Sequence, residues 1–384
     1  MRKIFIAALA AVAMVSCAKD EAIEINNGEA IGFAATSGRT TRTATIDGVD
    51  ELNKFRVWGF HNNGGKPTAL MTNVLVEKDA NGDWGYGDPY FWPTVGTCDF
   101  YGIYPTTDDV ATSPITVNMT NKTVSYDLYT GNLDWHPTDW LYSVNADEAR
   151  QDTKVPMNFR HAMAQIVFQV KNTNKNLKIT IPKSEIVLHC VSQKGVYTLP
   201  SEDTTKDQPY ESRVMGSWDV AEQGTNVINL SWAKIEGAVL DGVGDCLVAD
   251  FMAEDGAMIT VPQTVVAYDN VNDPNNDDMQ AYFCMKVLIE QEDTEIWPGY
   301  DASAQNPVEK GKPYWVAIPI DATWLQGKKY TYTFIFGDGA GIVPPGTPVP
   351  PTEEIKPGDP ILAPIDFTVT VDDIEDGGNE NIEL

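Results

Sequence analysis

Cys17 is the residue best placed for covalent chemistry. It closes Met14-Val15-Ser16-Cys17, behind two basic residues (Arg2, Lys3) and twelve apolar ones from Ile4 to Val15. This is the order of a secretory signal over 1–16 that ends in a lipobox. There the cysteine thiolate is acylated, and cleavage before it leaves a lipid-bearing amino terminus. As a helix the apolar run would span about 18 Å against a hydrocarbon core of about 30 Å, so the expected outer-membrane anchor is a lipid on Cys17 rather than a spanning helix. The alternative is an ordinary secretion signal with a chance cysteine.

Arg39 and Arg42 offer a second chemistry, peptide-bond cleavage. They lie in the polar run Thr36 to Thr43, in a chain whose formal charge is −28. An exposed loop of that composition suits an arginine-specific protease, and a solvated loop with incidental arginines would read the same way. The negative balance excludes nucleic acid as a partner, because a polyanion would be repelled.

Enzyme signatures are missing. No G-x-S-x-G elbow, P-loop or H-E-x-x-H is present, and Gly337 to Gly341 runs into Pro344-Pro345 rather than into a helix that could bind phosphate. His61, His136, His161 and His189 are scattered singly, and Glu290 and Glu292 form the sort of carboxylate pair that 55 acidic residues produce by chance. Asp269 to Asp278 lacks the spacing of a calcium loop. Cys98, Cys190, Cys246 and Cys284 are too dispersed for zinc; buried thiols are expected, with a disulfide at Cys190 the alternative. The expectation is no catalysis, no metal and no cofactor. Trp92, Trp135 and Trp297 stand near prolines at strand ends, where sugar stacking by a glycan receptor site or packing into a core are both open.

The elements around these residues are strands. Short runs rich in Val, Tyr, Phe, Trp and Thr, such as Lys54 to His61 and Cys98 to Tyr104, alternate with turn residues such as Asn62-Asn63-Gly64-Gly65. The expected fold is all-β, two antiparallel sandwiches in tandem over 29–160 and 161–338, behind a tether at 17–28. Cys246 to Met252 is among the expected strands. Gly339 to Pro364 holds eight prolines and four glycines. It reads as a semi-rigid spacer of up to about 80 Å. Beyond it, in 365–384, comes a last strand with Ile365, Phe367, Val369 and Val371 on one face, then an acidic tail.

The two ends suggest one process. A first strand at Glu29 to Ala35, with Ile31 and Phe33 on its apolar face, precedes the arginine loop. Cleavage after Arg39 or Arg42 would free it and open a groove with unpaired backbone. A period-two apolar strand from a neighbour, such as Ile365 to Val371, could fill that groove by strand addition and propagate a filament.

Several stretches resemble the fimbrillin family, subunits of type V pili: FRVWGF at Phe55 to Phe60, YFWP at Tyr90 to Pro93, DFYGIYP at Asp99 to Pro105, FRHAMAQIVFQVKN at Phe159 to Asn172, KKYTYTFIFG at Lys328 to Gly337 and IDFTVTVDD at Ile365 to Asp373. The resemblance implies two transthyretin-like (Greek-key) sandwiches, lipoprotein export through Cys17, maturation at Arg39 or Arg42 by an arginine-specific protease, and donation of the carboxy-terminal strand to other fimbrial subunits. A fimbrial tip adhesin, or a monomeric surface glycan-binding lipoprotein, is the alternative role.

Overall fold

Alternation along Lys54–Asn62 sends Phe55 and Val57 to one side and Trp58 and Phe60 to the other, and both sides are covered. The structure is a computed structural model that describes residues 23–36, 52–106, 108, 114–127, 139–202, 214–220, 231–254, 256–269, 280–299, 309–337, 339–344, 358–362 and 365–374. Cys17, Arg39, Arg42, Trp135 and His136 lie outside them, as do 345–357 and the tail beyond 374.

The first half contains β1 (Ile25–Ala30), β2 (Phe33–Thr36), β3 (Lys54–Asn62), β4 (Thr68–Lys78), β5 (Trp84–Gly85), β6 (Phe91–Pro93), β7 (Thr97–Tyr104), β8 (Ile115–Asn118), β9 (Thr123–Asp127), β10 (Leu141–Ala149), β11 (Val155–Asn158) and β12 (Arg160–His161). Its main sheet runs β12-β10-β7-β3-β4-β5. On one face Phe55, Val57, Phe100 and Leu141 meet Ile31, Phe33, Trp92, Val155, Met157 and Phe159. On the other, Trp58, Tyr101, Ile103, Tyr142 and Val144 meet Ile115, Val124, Tyr126 and Tyr197. Gly102 is required by the first face, since a Cβ there would stand 2.7 Å from the Phe159 ring.

The second half contains β13 (Ala164–Asn172), β14 (Leu177–Ile181), β15 (Ser184–His189), β16 (Lys194–Thr198), β17 (Ser217–Val220), β18 (Ser231–Ile235), β19 (Ala238–Asp241), β20 (Gly244–Cys246), α1 (Val248–Phe251), β21 (Met258–Thr260), β22 (Thr264–Ala267), β23 (Gln280–Gln291), β24 (Thr294–Trp297), β25 (Tyr314–Pro319), β26 (Ala322–Thr323), β27 (Lys328–Phe336) and β28 (Asp366–Asp373). A five-stranded sheet built on β20-β13-β27-β28 and a nine-stranded sheet centred on β23 enclose a common core. Phe168 stacks on Phe334 within its own sheet at 5.5 Å and meets Phe283 of the other sheet edge-on at 5.0 Å. The all-β sandwich expectation is met.

Four details differ from the sequence reading. Pairing is not wholly antiparallel: β13–β27, β2–β11 and β22–β23 are parallel. The run Cys246 to Met252 contains a single helical turn, in which Phe251, three residues after Val248, turns into the core. The halves do not part cleanly at 160/161, because β8 and β9 share a four-stranded sheet, β17-β16-β9-β8, with two strands of the second half. Gln326 adds to that junction by donating from its amide to the hydroxyls of Tyr142 (3.0 Å) and Tyr197 (3.1 Å).

The fourth concerns the run expected as a spacer. Its described ends are folded in: Ala340, Ile342, Val343 and Ile361 are buried, and Ile342 exchanges backbone hydrogen bonds with Ala317 of β25. The Val343 N–H donates to Asp359 and the Gly358 N–H back to Val343, each at 2.8 Å. Proline fixes φ and removes a donor, but it leaves the intervening isoleucines and valine free to seek a core.

Candidate strand-exchange site

The expected first strand is two strands with a break at Ile31-Gly32, so the segment serves two partners. β1 pairs antiparallel with β6, and β2 runs parallel to β11 with Phe33 opposite Val155 and Ala35 opposite Met157. At the break the Ile31 N–H donates to Tyr90 O (2.8 Å), the Tyr86 hydroxyl donates to Ile31 O, and the Val155 N–H donates to Gly32 O (2.8 Å). Burial pushes the Tyr86 phenol above its ordinary range, which keeps it a donor.

Ile31 and Phe33 are each 1% exposed, as central as any residue of the sheet they cover. The Phe33 ring lies among Phe55, Tyr86 and Phe100, with centroids at 6.1, 6.0 and 5.5 Å. Burying two such side chains stabilises the fold by about 3 to 6 kcal/mol, so an uncut chain holds the segment firmly. The last described residue of β2 is Thr36, three positions before Arg39. Beside the break, Lys154 reaches Asp83 at 3.5 Å.

The carboxy-terminal strand is not free in this structure. β28 lies antiparallel to β27 at the sheet edge, with Phe367 opposite Phe334 and Val371 opposite Tyr330. Ile365 is buried and the Phe367 ring meets Tyr332 at 5.9 Å. Val369 and Val371, on the same alternation, stay 40% and 50% exposed. One end of the apolar face is therefore seated and the other is uncovered, on a strand with an open backbone edge.

The other residues singled out from the sequence are packing residues where they are described. Trp92 and Trp297 are buried, which takes both out of any sugar-stacking surface. His161 is buried against Asp139, and the Nε2–H of His61 donates to Val95 O (2.8 Å). His189 stacks on Tyr282 at 4.7 Å, and burial pushes it down to about 4, so it is neutral at neutral pH. Cys98, Cys190, Cys246 and Cys284 carry thiols. The β15–β23 ladder sets Val187 opposite Cys284, and Cys190, just past the end of β15, packs in the same cluster as Cys284 with both as free thiols. Among the described residues no group of three or more His, Cys, Asp or Glu side chains is placed to hold a metal, and no helix there is long and apolar enough to cross a membrane.

Sequence reasoning missed Lys122. Its Nζ is buried without a hydrogen-bond partner, 3.1 Å from the Phe60 ring centroid and 4.0 Å from that of Tyr101. Desolvation pushes its pKa down to about 8, partly opposed by Asp99. A lysine in a turn gives no sign that two aromatic rings from different strands will close over it.

The sequence profile described as fimbrillin-like matches residues 41–351, most of the chain. The chain belongs to the fimbrillin-like family. Membership makes it a pilin-like, cell-surface structural subunit that acts with other fimbrial subunits. The fimbrillin-like chain has no match among curated proteins. Among solved structures it is similar to a candidate cell adhesion protein from Bacteroides ovatus, at 13% identity and TM-score 0.41, covering 92% of this chain and 99% of that one. A candidate cell adhesion protein from Parabacteroides distasonis gives 10% identity and TM-score 0.42, over 89% and 95% of the two chains. The fimbrial anchor protein Mfa2 from Porphyromonas gingivalis gives 10% and 0.27, over 76% and 87%.

Proposed function

We propose that the chain is exported as a lipoprotein acylated on Cys17, cut after Arg39 or Arg42 by an arginine-specific protease, and polymerised into a fimbria by strand exchange. The displaced segment is the one holding Ile31 and Phe33; the donated strand holds Ile365, Phe367, Val369 and Val371. The observation that carries this reading is the placement of residues 31–36. They are core in packing, yet among the described residues their strand pairs with β11 alone, in parallel and apart from the six-stranded sheet they cover, and they end just before the arginines. Loss of the segment would leave Phe55, Phe100, Met157 and the β11 backbone without a partner, a slot suited to an apolar strand. The lipid on Cys17 would depart with the first segment, so anchoring and plugging would end together.

The test is limited digestion of the purified chain with low-dose trypsin, followed on unheated denaturing gels. A ladder of multimers is expected after cleavage in 39–43, and none from a chain truncated after Pro364. Clean cleavage with no multimer overturns the proposal.

A further inference from the structure

We propose that Lys122 and Asn62 join through their side chains: the Lys122 Nζ displaces ammonia from the Asn62 carboxamide, with Asp99 carrying the proton, and an amide bond then ties the β8–β9 turn to β3.

Two buried polar groups on one face of the six-stranded sheet are left without a partner. Lys122 stands in the turn between β8 and β9, and its Nζ reaches across to that sheet. Alternation puts Trp58, Phe60 and Asn62 of β3 on the face it meets, and the β3–β7 ladder sets them opposite Tyr101, Asp99 and Thr97. The Nζ lies against the rings of Phe60 and Tyr101, and both it and the Asn62 Oδ1 are buried with no hydrogen bond. Asn62 follows Phe60 by two residues, about 7 Å along the strand. Rotation about the outer torsions of the two side chains closes that gap. An amide formed from them removes a buried charge that nothing else on this face neutralises by contact.

The surroundings supply what attack on a carboxamide needs. The two rings exclude water, which favours the neutral, nucleophilic amine, and desolvation pushes Lys122 down to about 8 in spite of Asp99. Asp99 lies directly opposite Phe60 and diagonal to Asn62, within electrostatic range of the amine. Its Oδ1 accepts from the Asp147 N–H at 2.9 Å, which leaves Oδ2 to take a proton. The other titratable groups on this face are Asp147 and the Tyr101 phenol, which burial pushes up to about 12 and keeps neutral.

The step balances without an oxidant or cofactor. The neutral amine adds to the Asn62 Cγ, and Asp99 takes a proton from Nζ and hands it to the carboxamide nitrogen. The bond from Cγ to that nitrogen breaks, and ammonia leaves. The fold holds the two groups together, which replaces the high amine concentration such a reaction needs in solution. Only the neutral amine attacks, so chain kept at pH 6 retains the free Lys122.

The experiment takes the chain from Ile23, held at pH 6 and then brought to pH 8.5 either folded or in urea, and follows its intact mass and its tryptic peptides. The folded chain should lose one ammonia and yield a branched peptide joining Lys122 to Asn62, whereas the chain in urea should not. With the amine at about 8, the folded reaction should run roughly seventyfold faster at pH 8.5 than at pH 6. Lys122→Met and Asn62→Ala should each abolish the branched peptide. Asp99→Asn should slow its formation roughly a hundredfold while near-ultraviolet dichroism is unchanged. A folded chain whose mass stays constant at pH 8.5 overturns the proposal. Ammonia loss that survives Lys122→Met is ring closure at another asparagine and overturns it equally. An Asp99→Asn chain that crosslinks at the wild-type rate overturns the part given to Asp99. The strand-exchange reading stands apart from all of these outcomes, because no residue of either exchanged segment takes part.

Discussion

Phe33 stands edge-on to Phe100, with ring centroids 5.5 Å apart and planes at 82°. Phe100 belongs to the central strand β7 and Phe33 to a segment at the amino-terminal end, so the core of the first sheet is completed by a residue that cleavage would remove.

Replacing that ring in the uncut chain tests how much the core depends on it. Phe33→Ala should lower stability by about 3 to 5 kcal/mol, read as a fall in the urea midpoint at unchanged slope. A change within error would mean that the segment only lies over the sheet.

Lys122 predicts a pH dependence of unusual sign. Its folded pKa of about 8 lies below the ordinary 10.5, so between those values the unfolded chain binds more protons and stability rises with pH. The burial penalty is fully present below about 8 and is relieved as pH climbs toward 10.5. Lys122→Met, which keeps the apolar stem between Phe60 and Tyr101, should stabilise the chain at pH 7 and flatten this rise. Urea midpoints at pH 7, 8.5 and 10 check it; a slope equal in both proteins would place the titration elsewhere.

The thiols should report local exposure. Burial pushes Cys98 up to about 12 and raises Cys284 further, and Cys246 is the most accessible of the four. In a chain beginning at Ile23, an aromatic disulfide reagent at pH 8 should label Cys246 first and Cys98 and Cys284 only on unfolding. Fast labelling of Cys284 in the native protein would contradict its packing.

Truncation after Pro364 should leave a folded but weaker chain. It uncovers the Tyr330–Phe336 edge and removes Ile365, Phe367 and Ile374, two of them buried and the ring partly so. At about 1.5 to 3 kcal/mol per buried apolar side chain the expected loss is a few kcal/mol. Near-ultraviolet dichroism should persist while the thermal midpoint falls; loss of that signal would show β28 to be indispensable to the sandwich.

How much of this was legible depends on whether the cause was local. The alternation in Lys328 to Phe336 announced its inward face, and Tyr330, Tyr332, Phe334 and Phe336 are all buried. Ile31 and Phe33 were legible for the same reason. The parallel partner of β2 was not, because parallel strands need no turn between them and Val155 lies far along the chain. Proline content described the backbone of Gly339 to Pro364 but said nothing of where Ile342, Val343 and Ile361 would bury. The seating of β28 on its own β27 was hidden likewise, since an amphipathic strand does not say whose edge it will join. At the site, the anchors could be read, whereas the Tyr86 and Tyr90 clamp and the place of Lys154 required the fold.

The sheet shared by β8, β9, β16 and β17 has a mechanical consequence. A pull applied between Phe33 and Val371 finds no slack hinge between the halves. Parting the halves must also break the ladder from Thr123–Asp127 to Lys194–Thr198, five residue pairs that tie one to the other. A subunit whose halves are tied in this way would pass tension along its length as a rod link does.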